Sequence, residues 1–257
     1  MEEAGRRDDS LVEVLSRRPL VRRGLDGLKA RVPTAYWRVR NAAALAAWCA
    51  GAWHRRLVAP RDAYDDAFWT FHETGDWEGF ARAALARVPA RSVVDVGCGH
   101  GLALQGFARV DPTLRLKGFD ASPAALARAR ARGLDVEELD LVSLPRREVA
   151  AMAGRIGEFD LAVCLEVAEH LPPWHARTLV GVLAGARRLI FSAAHPNQGG
   201  RLHVNEQPAS YWLERFRRSG FRVSPDDDAF RRAVAALALP PWYAENVHLV
   251  ERTAEAG

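Results

Sequence analysis

The run Val93-Val94-Asp95-Val96-Gly97-Cys98-Gly99-His100-Gly101 passes from an apolar stretch into a turn with glycine at every second position. Glycine lets a backbone pass close beneath a ligand, and a helix that follows such a turn offers unpaired N–H groups and a partial positive charge to a carboxylate or phosphate. The chemistry implied is nucleotide binding. A dinucleotide fingerprint would place its third glycine at 102, where Leu102 stands, and Asp95 precedes the first glycine by two positions, so the spacing argues against NAD. Carboxylates recur at the ends of later apolar runs: Asp120 in Leu116-Lys117-Gly118-Phe119-Asp120-Ala121-Ser122, and Asp140 in Glu138-Leu139-Asp140-Leu141.

Histidines supply the other candidates. His170 stands in Leu165-Glu166-Val167-Ala168-Glu169-His170-Leu171-Pro172, where it serves as a base, a substrate contact or an anchor of the loop backbone. A neutral imidazole titrating near about 6.5 suits proton transfer. His195 and His203 lie in a polar loop that continues to Glu206, Gln207 and Pro208. With Glu206 they are ligand types for a metal, but their separation in an undefined loop defines no site; solvated or capping roles are the alternative, and no metal is expected.

The glycine turn resembles the first motif of class I S-adenosylmethionine-dependent methyltransferases, and the resemblance runs from roughly residue 85 to 251, in the bacterial small-molecule manner. It implies that Gly97, Cys98, Gly99 and Gly101 pack against the methionine part of the cofactor and that Asp95 orients its amino group. It further implies that Asp120, with Ala121 beside it, accepts from both ribose hydroxyls. A carboxylate can accept two hydrogen bonds from a vicinal diol, which suits the residue type. Asp140 and Leu141 are then the adenine contacts, and Leu165 and Glu166 line the methyl group. Trp69, in the aromatic segment from Tyr64 to Trp77, is placed over the sulfonium, where ring faces suit a cation. His170, His195 and His203 are the candidate catalytic residues. The implied function is S-adenosylmethionine-dependent methyl transfer to an oxygen or nitrogen nucleophile of a small molecule, a glycan or secondary metabolite. The alternatives are cyclisation or elimination in the same pocket, or a cofactor-binding subunit that supports a partner enzyme.

Short β-branched runs must position these residues. From residue 91 they read as strands at Ser92–Val96, Arg115–Phe119, Asp135–Glu138, Phe159–Leu165, Arg188–Ala193, Gly220–Val223 and Asn246–Glu251, with helices at Leu102–Arg109, Pro123–Arg132, Pro172–Ala184 and Pro208–Ser219. Alternation of this kind predicts an α/β fold: a Rossmann-like, seven-stranded, mostly parallel sheet with helices on both faces. Asp226-Asp227-Asp228 reads as a loop. Residues 1–80 read as an N-terminal helical extension or cap, with 81–257 as the binding domain.

Composition excludes the more exotic classes. The 257 residues are 49% hydrophobic and 26% charged, an ordinary globular balance. The net charge is only +4, and basic pairs such as Arg17-Arg18 alternate with acids, so no nucleic-acid partner is expected. Cys49, Cys98 and Cys164 show no metal spacing and read as reduced thiols of a cytoplasmic protein. The apolar stretch Ala42–Trp53 is too short to cross a bilayer, so no membrane association is expected. The expected partner is a small molecule, with the N-terminal helices available for a homodimer or a partner protein.

Overall fold

The computed structural model describes residues 75–200 and 202–253, together with Ala42 and Ala46. Trp69 and the helices expected between residues 1 and 74 lie outside the described residues. Helix α1 (Trp77–Leu85) runs across the expected boundary at 80/81 and buries Phe80, Ala81, Ala83 and Ala84, so the packing of the α/β domain includes Trp77 onward. Asp76 caps it, accepting from Gly79 N at 2.7 Å.

The strands are β1 (Ser92–Val96), β2 (Arg115–Asp120), β3 (Val136–Glu138), β4 (Leu161–Leu165), β5 (Arg188–Ser192), β6 (Phe221–Val223) and β7 (His248–Arg252). They form one sheet in the order β3-β2-β1-β4-β5-β7-β6. The pairs from β3 through β5 are parallel, while β7 runs antiparallel to both β5 and β6. Every residue of β1 is buried, as a central strand covered on both faces requires.

Alternation along the strands divides the core in two. Val93, Leu161, Val163, Ile190 and Leu249 face one layer, with Phe80 of α1, Phe107 of α2 (Leu102–Val110) and Phe230 of α7 (Asp227–Ala235) packed on them. Val94, Ala162, Cys164, Leu189 and Phe191 face the other. That side is covered by Met152 and Ile156 of α4 (Val149–Gly157), Leu179 of α5 (Ala176–Leu183), and Trp212 and Phe216 of α6 (Ala209–Arg218). A third, smaller cluster joins Cys98 and Leu104 to Leu126 and Ala129 of α3 (Pro123–Ala131), which Ser122 caps from Pro123 onward. No helix among the described residues is long and apolar enough to cross a membrane.

The structure differs from the sequence expectation at three helices and one helix start. Helix α4 was not anticipated. The three aspartates expected as a loop instead lead into α7, where Asp227 and Asp228 occupy the first turn and complement the partial positive charge there. Helix α8 (Pro241–Asn246) precedes β7, which therefore begins at His248 and not at 246. The segment expected as one helix from Pro172 opens on a separate 3₁₀ turn, Pro173–His175, before α5.

Asp227 joins α7 to the antiparallel edge. Its Oδ1 accepts from Leu249 N at 2.6 Å, and its Oδ2 lies 3.1 Å from His248 Nδ1, with the side chain nearly buried. Removing the acceptor leaves a buried strand N–H unpaired, a cost of about 1–3 kcal/mol. Asp227→Ala is therefore expected to lower unfolding stability by about that amount in a urea melt; a midpoint equal to that of the wild type would contradict the assignment.

Candidate functional site

At the carboxyl edge of the parallel strands lies a cavity of about 630 Å³, within the range of about 300–1,000 Å³ usual for small-molecule sites. Its floor is the glycine turn. Gly97 N and Cys98 N both donate to Phe119 O, at 2.7 and 2.9 Å, which holds the end of β1 against β2. Gly97 has φ +82°, and a Cβ there would sit 2.2 Å from Val167 Cγ2; Gly101 has φ +86°, and its Cβ would meet Leu134 Cδ1 at 2.3 Å. Neither position accommodates a side chain. Helix α2 starts at Leu102 without a side-chain cap or an acid in its first turn, so its free N–H groups remain for the cavity that Leu102 and Ala103 line.

Three acids at or near strand ends, Asp95, Asp120 and Asp140, line this cavity. Asp120 accepts from Gly99 N through Oδ2 and from Ser122 N through Oδ1, both at 2.8 Å. A carboxylate offers about four acceptor positions. Asp120 therefore fixes the glycine turn, with the Ala121 N–H a third backbone partner, and keeps acceptor capacity on the cavity side. Burial pushes its pKa up, and these backbone N–H groups pull it back. Asp95 is only 4% exposed, and its carboxyl is pushed from 3.8 up to about 8, first by burial and then by the charge of Asp120. Asp140 is tied at Oδ1 to Val142 N at 2.8 Å, and Ala121 and Leu141 stand beside these acids in the cavity wall.

The opposite wall comes from the loop after β4. Glu166 takes a left-handed backbone, φ +53°, uncommon for a residue with a side chain. Its N–H donates to Ser192 O and lies equally near Ser192 Oγ, each at 3.1 Å. Its carboxylate accepts from Gln198 Nε2 at 2.8 Å and Asn246 Nδ2 at 3.1 Å, and Asn246 also donates to Gln198 Oε1 at 2.7 Å. This network draws the β4 loop, the β5–α6 loop and α8 together. Glu169 follows, fully buried; its pKa is pushed well above 4.5 by burial and then by Glu166. Its backbone oxygen accepts from Val204 N and Asn205 N, at 2.9 and 3.0 Å, which brings His203 against His170, ring centroids 4.8 Å apart.

His170, His203, Leu165 and Glu166 thus share the cavity with Asp95, Cys98, Gly99, Asp120 and Asp140. His195 does not. The loop turns back there, Gln198 N donating to His195 O, and it is Gln198 and Gly199 that enter the cavity. The His195 imidazole instead lies 3.5 Å from Glu245 Oε2, in the wall of a separate cavity of about 220 Å³. The trio His195, His203 and Glu206 is accordingly not assembled. His203 does meet Glu206, at 2.9 Å.

Sequence reasoning assigned no role to Glu169, Gln198, Asn246, Trp242 or Tyr243, and named Trp77 only within the N-terminal aromatic segment; all take part in the cavity or its supporting network. Trp77, Trp242 and Tyr243 supply an aromatic wall, with Trp77 and Tyr243 edge to face at 5.1 Å between centroids. Burial and the nearby acids raise the Tyr243 phenol well above its ordinary value, so it stays protonated.

Residues 94–191 match the family model of a methyltransferase domain. A ubiquinone biosynthesis O-methyltransferase of Ralstonia nicotianae is 32% identical over 120 residues, 44% of this chain and 48% of that protein. Its counterpart in Acinetobacter baumannii is 29% identical over 82 residues, 32% of this chain and 34% of that protein. The chain thus spans half or less of the length of these curated relatives. Among solved structures, the methyltransferase domain of bacterial CtHen1-C superposes with a TM-score of 0.50 at 20% identity, over 70% of this chain and 98% of that one. The sugar N-methyltransferase KedS8 of a Streptoalloteichus species gives 0.50 at 16%, over 77% and 98%. At such identities the likeness is one of fold.

Asp95 yields a prediction whose sign follows from its shift. The folded pKa is raised, so the fold favours the neutral carboxyl; that contribution is complete below about pH 4 and is lost as the pH rises through about 8. In thermal melts without ligand, Asp95→Asn should therefore gain stability over the wild type progressively between about pH 4 and 8. A difference that is flat across that window would contradict a buried, protonated Asp95.

Proposed function

We propose that this chain, whose residues 94–191 match a methyltransferase-domain model, is a class I S-adenosylmethionine-dependent methyltransferase that binds S-adenosylmethionine at the carboxyl edge of its sheet and methylates an oxygen or nitrogen nucleophile of a small molecule. The observation that carries the reading is the row of acids Asp95, Asp120 and Asp140, at or just beyond the ends of three adjacent parallel strands, around a glycine turn packed too closely to carry side chains at 97 and 101.

The residues fit the cofactor group by group. Asp95 takes the cationic amino group, which repays the cost of ionising a carboxyl held at about 8. Asp120 takes the ribose diol with the acceptor capacity its backbone partners leave over. Asp140 and Leu141 flank the adenine, and the uncapped first turn of α2 faces the carboxylate. When bound, the cofactor supplies a methyl group already activated for substitution. What remains for the protein is alignment, which contributes roughly 7–11 kcal/mol, whereas a general base adds about 10²–10⁴ in rate. Glu166, locked by Gln198 and Asn246, fixes the wall opposite the acids, and His170 and His203 border the space left for the acceptor. The aromatic wall of Trp77, Trp242 and Tyr243 offers ring faces to the sulfonium, the role expected of Trp69, which lies outside the described residues.

Two measurements test this. Asp120→Ala should bind S-adenosylhomocysteine at least about tenfold more weakly by calorimetry, since a hydrogen bond to a charged group contributes about 1.5–3 kcal/mol; undiminished affinity would remove the ribose role. Binding should also release a proton from Asp95, so affinity rises by up to about tenfold per pH unit toward about pH 8 and levels off above it, a slope that Asp95→Asn abolishes. Methyl transfer itself is read by mass spectrometry as a methylene gain on an acceptor with one S-adenosylhomocysteine formed. A converted acceptor without that gain, the cofactor intact, would place the chain among the enzymes that use this pocket for other chemistry.

A further inference from the structure

The loop between β5 and α6 borders two cavities. Gln198, Gly199 and His203 line the larger one, whereas His195, Pro196 and Pro208 line the smaller, of about 220 Å³. Phe191 of β5 and Trp212 and Leu213 of α6 complete an apolar wall there, the two rings tilted at 54° with centroids 5.7 Å apart. Protein interiors hold few voids larger than a water molecule, and a cavity of about 150 Å³ lined by Leu, Ile and Phe takes up benzene. The space therefore suits one substituted ring. Polar groups among the lining residues select what that ring carries. His248 holds Asp227 Oδ2 at 3.1 Å through Nδ1, which places the proton there and leaves its Nε2 an acceptor. His195, half-exposed, turns Nε2 toward Glu245 Oε2 at 3.5 Å, and its buried Nδ1 has no hydrogen-bond partner among the described residues. The same is true of the Trp212 indole N–H. Two imidazole lone pairs, one carboxylate and one N–H thus belong to residues of this wall. A hydroxyl, which donates and accepts, answers both kinds of group. A carboxylate has no proton to give and would meet Glu245, and an ammonium would lose its hydration against the apolar wall.

We propose that the smaller cavity is a second binding site, for a neutral single-ring phenol, and that its occupant is felt in the larger cavity through Asn246. That residue is buried and lines the smaller cavity, while its amide nitrogen donates to Glu166 Oε1 at 3.1 Å and Gln198 Oε1 at 2.7 Å, both in the wall of the larger one. A ligand packed on one side of Asn246 favours one placement of that amide, and with it one placement of Glu166 and Gln198 on the other. Ligands of the two cavities then alter each other's affinity by a single common factor. The phenol site stands apart from the methyl-transfer reading; its coupling to S-adenosylhomocysteine rests on that reading.

The probe is p-cresol. Calorimetry on the wild-type chain should show saturable binding, and the imidazole resonances of His195 and His248 should shift more than those of His170 and His203. Ala209 is exposed at the rim of the smaller cavity, so Ala209→Phe fills that space from outside the core and should weaken p-cresol binding at least about tenfold. Benzoate should bind at least about tenfold more weakly than p-cresol, since its charge must be buried near Glu245. Saturating p-cresol should change the affinity for S-adenosylhomocysteine by about fivefold or more, and S-adenosylhomocysteine should change that for p-cresol by the same factor. No saturable binding, larger shifts at His170 and His203, full affinity in Ala209→Phe or equal affinity for benzoate would each overturn the phenol site. Independent affinities would overturn the coupling. A chain that takes up p-cresol but not S-adenosylhomocysteine would overturn the methyl-transfer reading and the coupling together, and leave the phenol site standing. The resonance shifts need no variant and decide the matter even where a substitution unfolds the chain.

Discussion

The domain depends on holding like charges close together, away from water. Adjacent strands lie about 4.8 Å apart, so one acid at each parallel strand end makes a row of carboxylates that cannot avoid one another. Asp95 and Asp120 stand on neighbouring strands, and Glu166 and Glu169 close the other side of the same cavity. Burial alone would hold several of these groups neutral, and their mutual repulsion adds to that. The fold offsets the strain with fixed N–H donors at Asp120 and amide side chains around Glu166. Asp95 and Glu169 remain the groups most strongly held against ionisation.

That imbalance explains why the edge is built from such rigid parts. Central β1 is buried throughout and carries the turn without slack; Phe119 O alone receives two of the turn's N–H groups. A site whose charges repel needs a frame that does not yield, and two hydrophobic layers of Val, Leu and Phe on either side of the sheet supply it. Stability and binding are therefore opposed at Asp95, where the residue that weakens the free protein at neutral pH is also the one that would meet the ligand's charge.

Much of this was legible in the sequence because it is local. The β1 segment Ser92–Val96 and the starts of β2, β5, α2 and α3 fall where β-branched runs, glycine and proline mark them, and the acids follow from their place at strand ends. The missed helices have weak or misleading local signals. Helix α4, Val-Ala-Ala-Met-Ala-Gly-Arg-Ile-Gly, carries two glycines; α7 begins amid aspartates that equally suit a turn; α8 is six residues long. Asn246 and Gln198, 48 positions apart, meet only because the antiparallel return of β7 brings α8 over the β5–α6 loop. His195 and His203 lie in the same polar loop, and nothing in their spacing tells which of them the chain folds inward.

The contact of Val167 with Gly97 bears on how such a domain can change by descent. Val167 fills the space that any side chain at 97 would need, so the turn on one side and the loop bearing Glu166, Glu169 and His170 on the other are steric counterparts. A single replacement at 97 meets a clash; only paired replacements pass, and these arise rarely. The wall at Gln198, Gly199 and His203 is held instead by side-chain hydrogen bonds to Glu166 and Glu206, which substitutions can exchange one at a time. Lineages that inherit this architecture are free to vary that wall while the floor beneath it stays fixed.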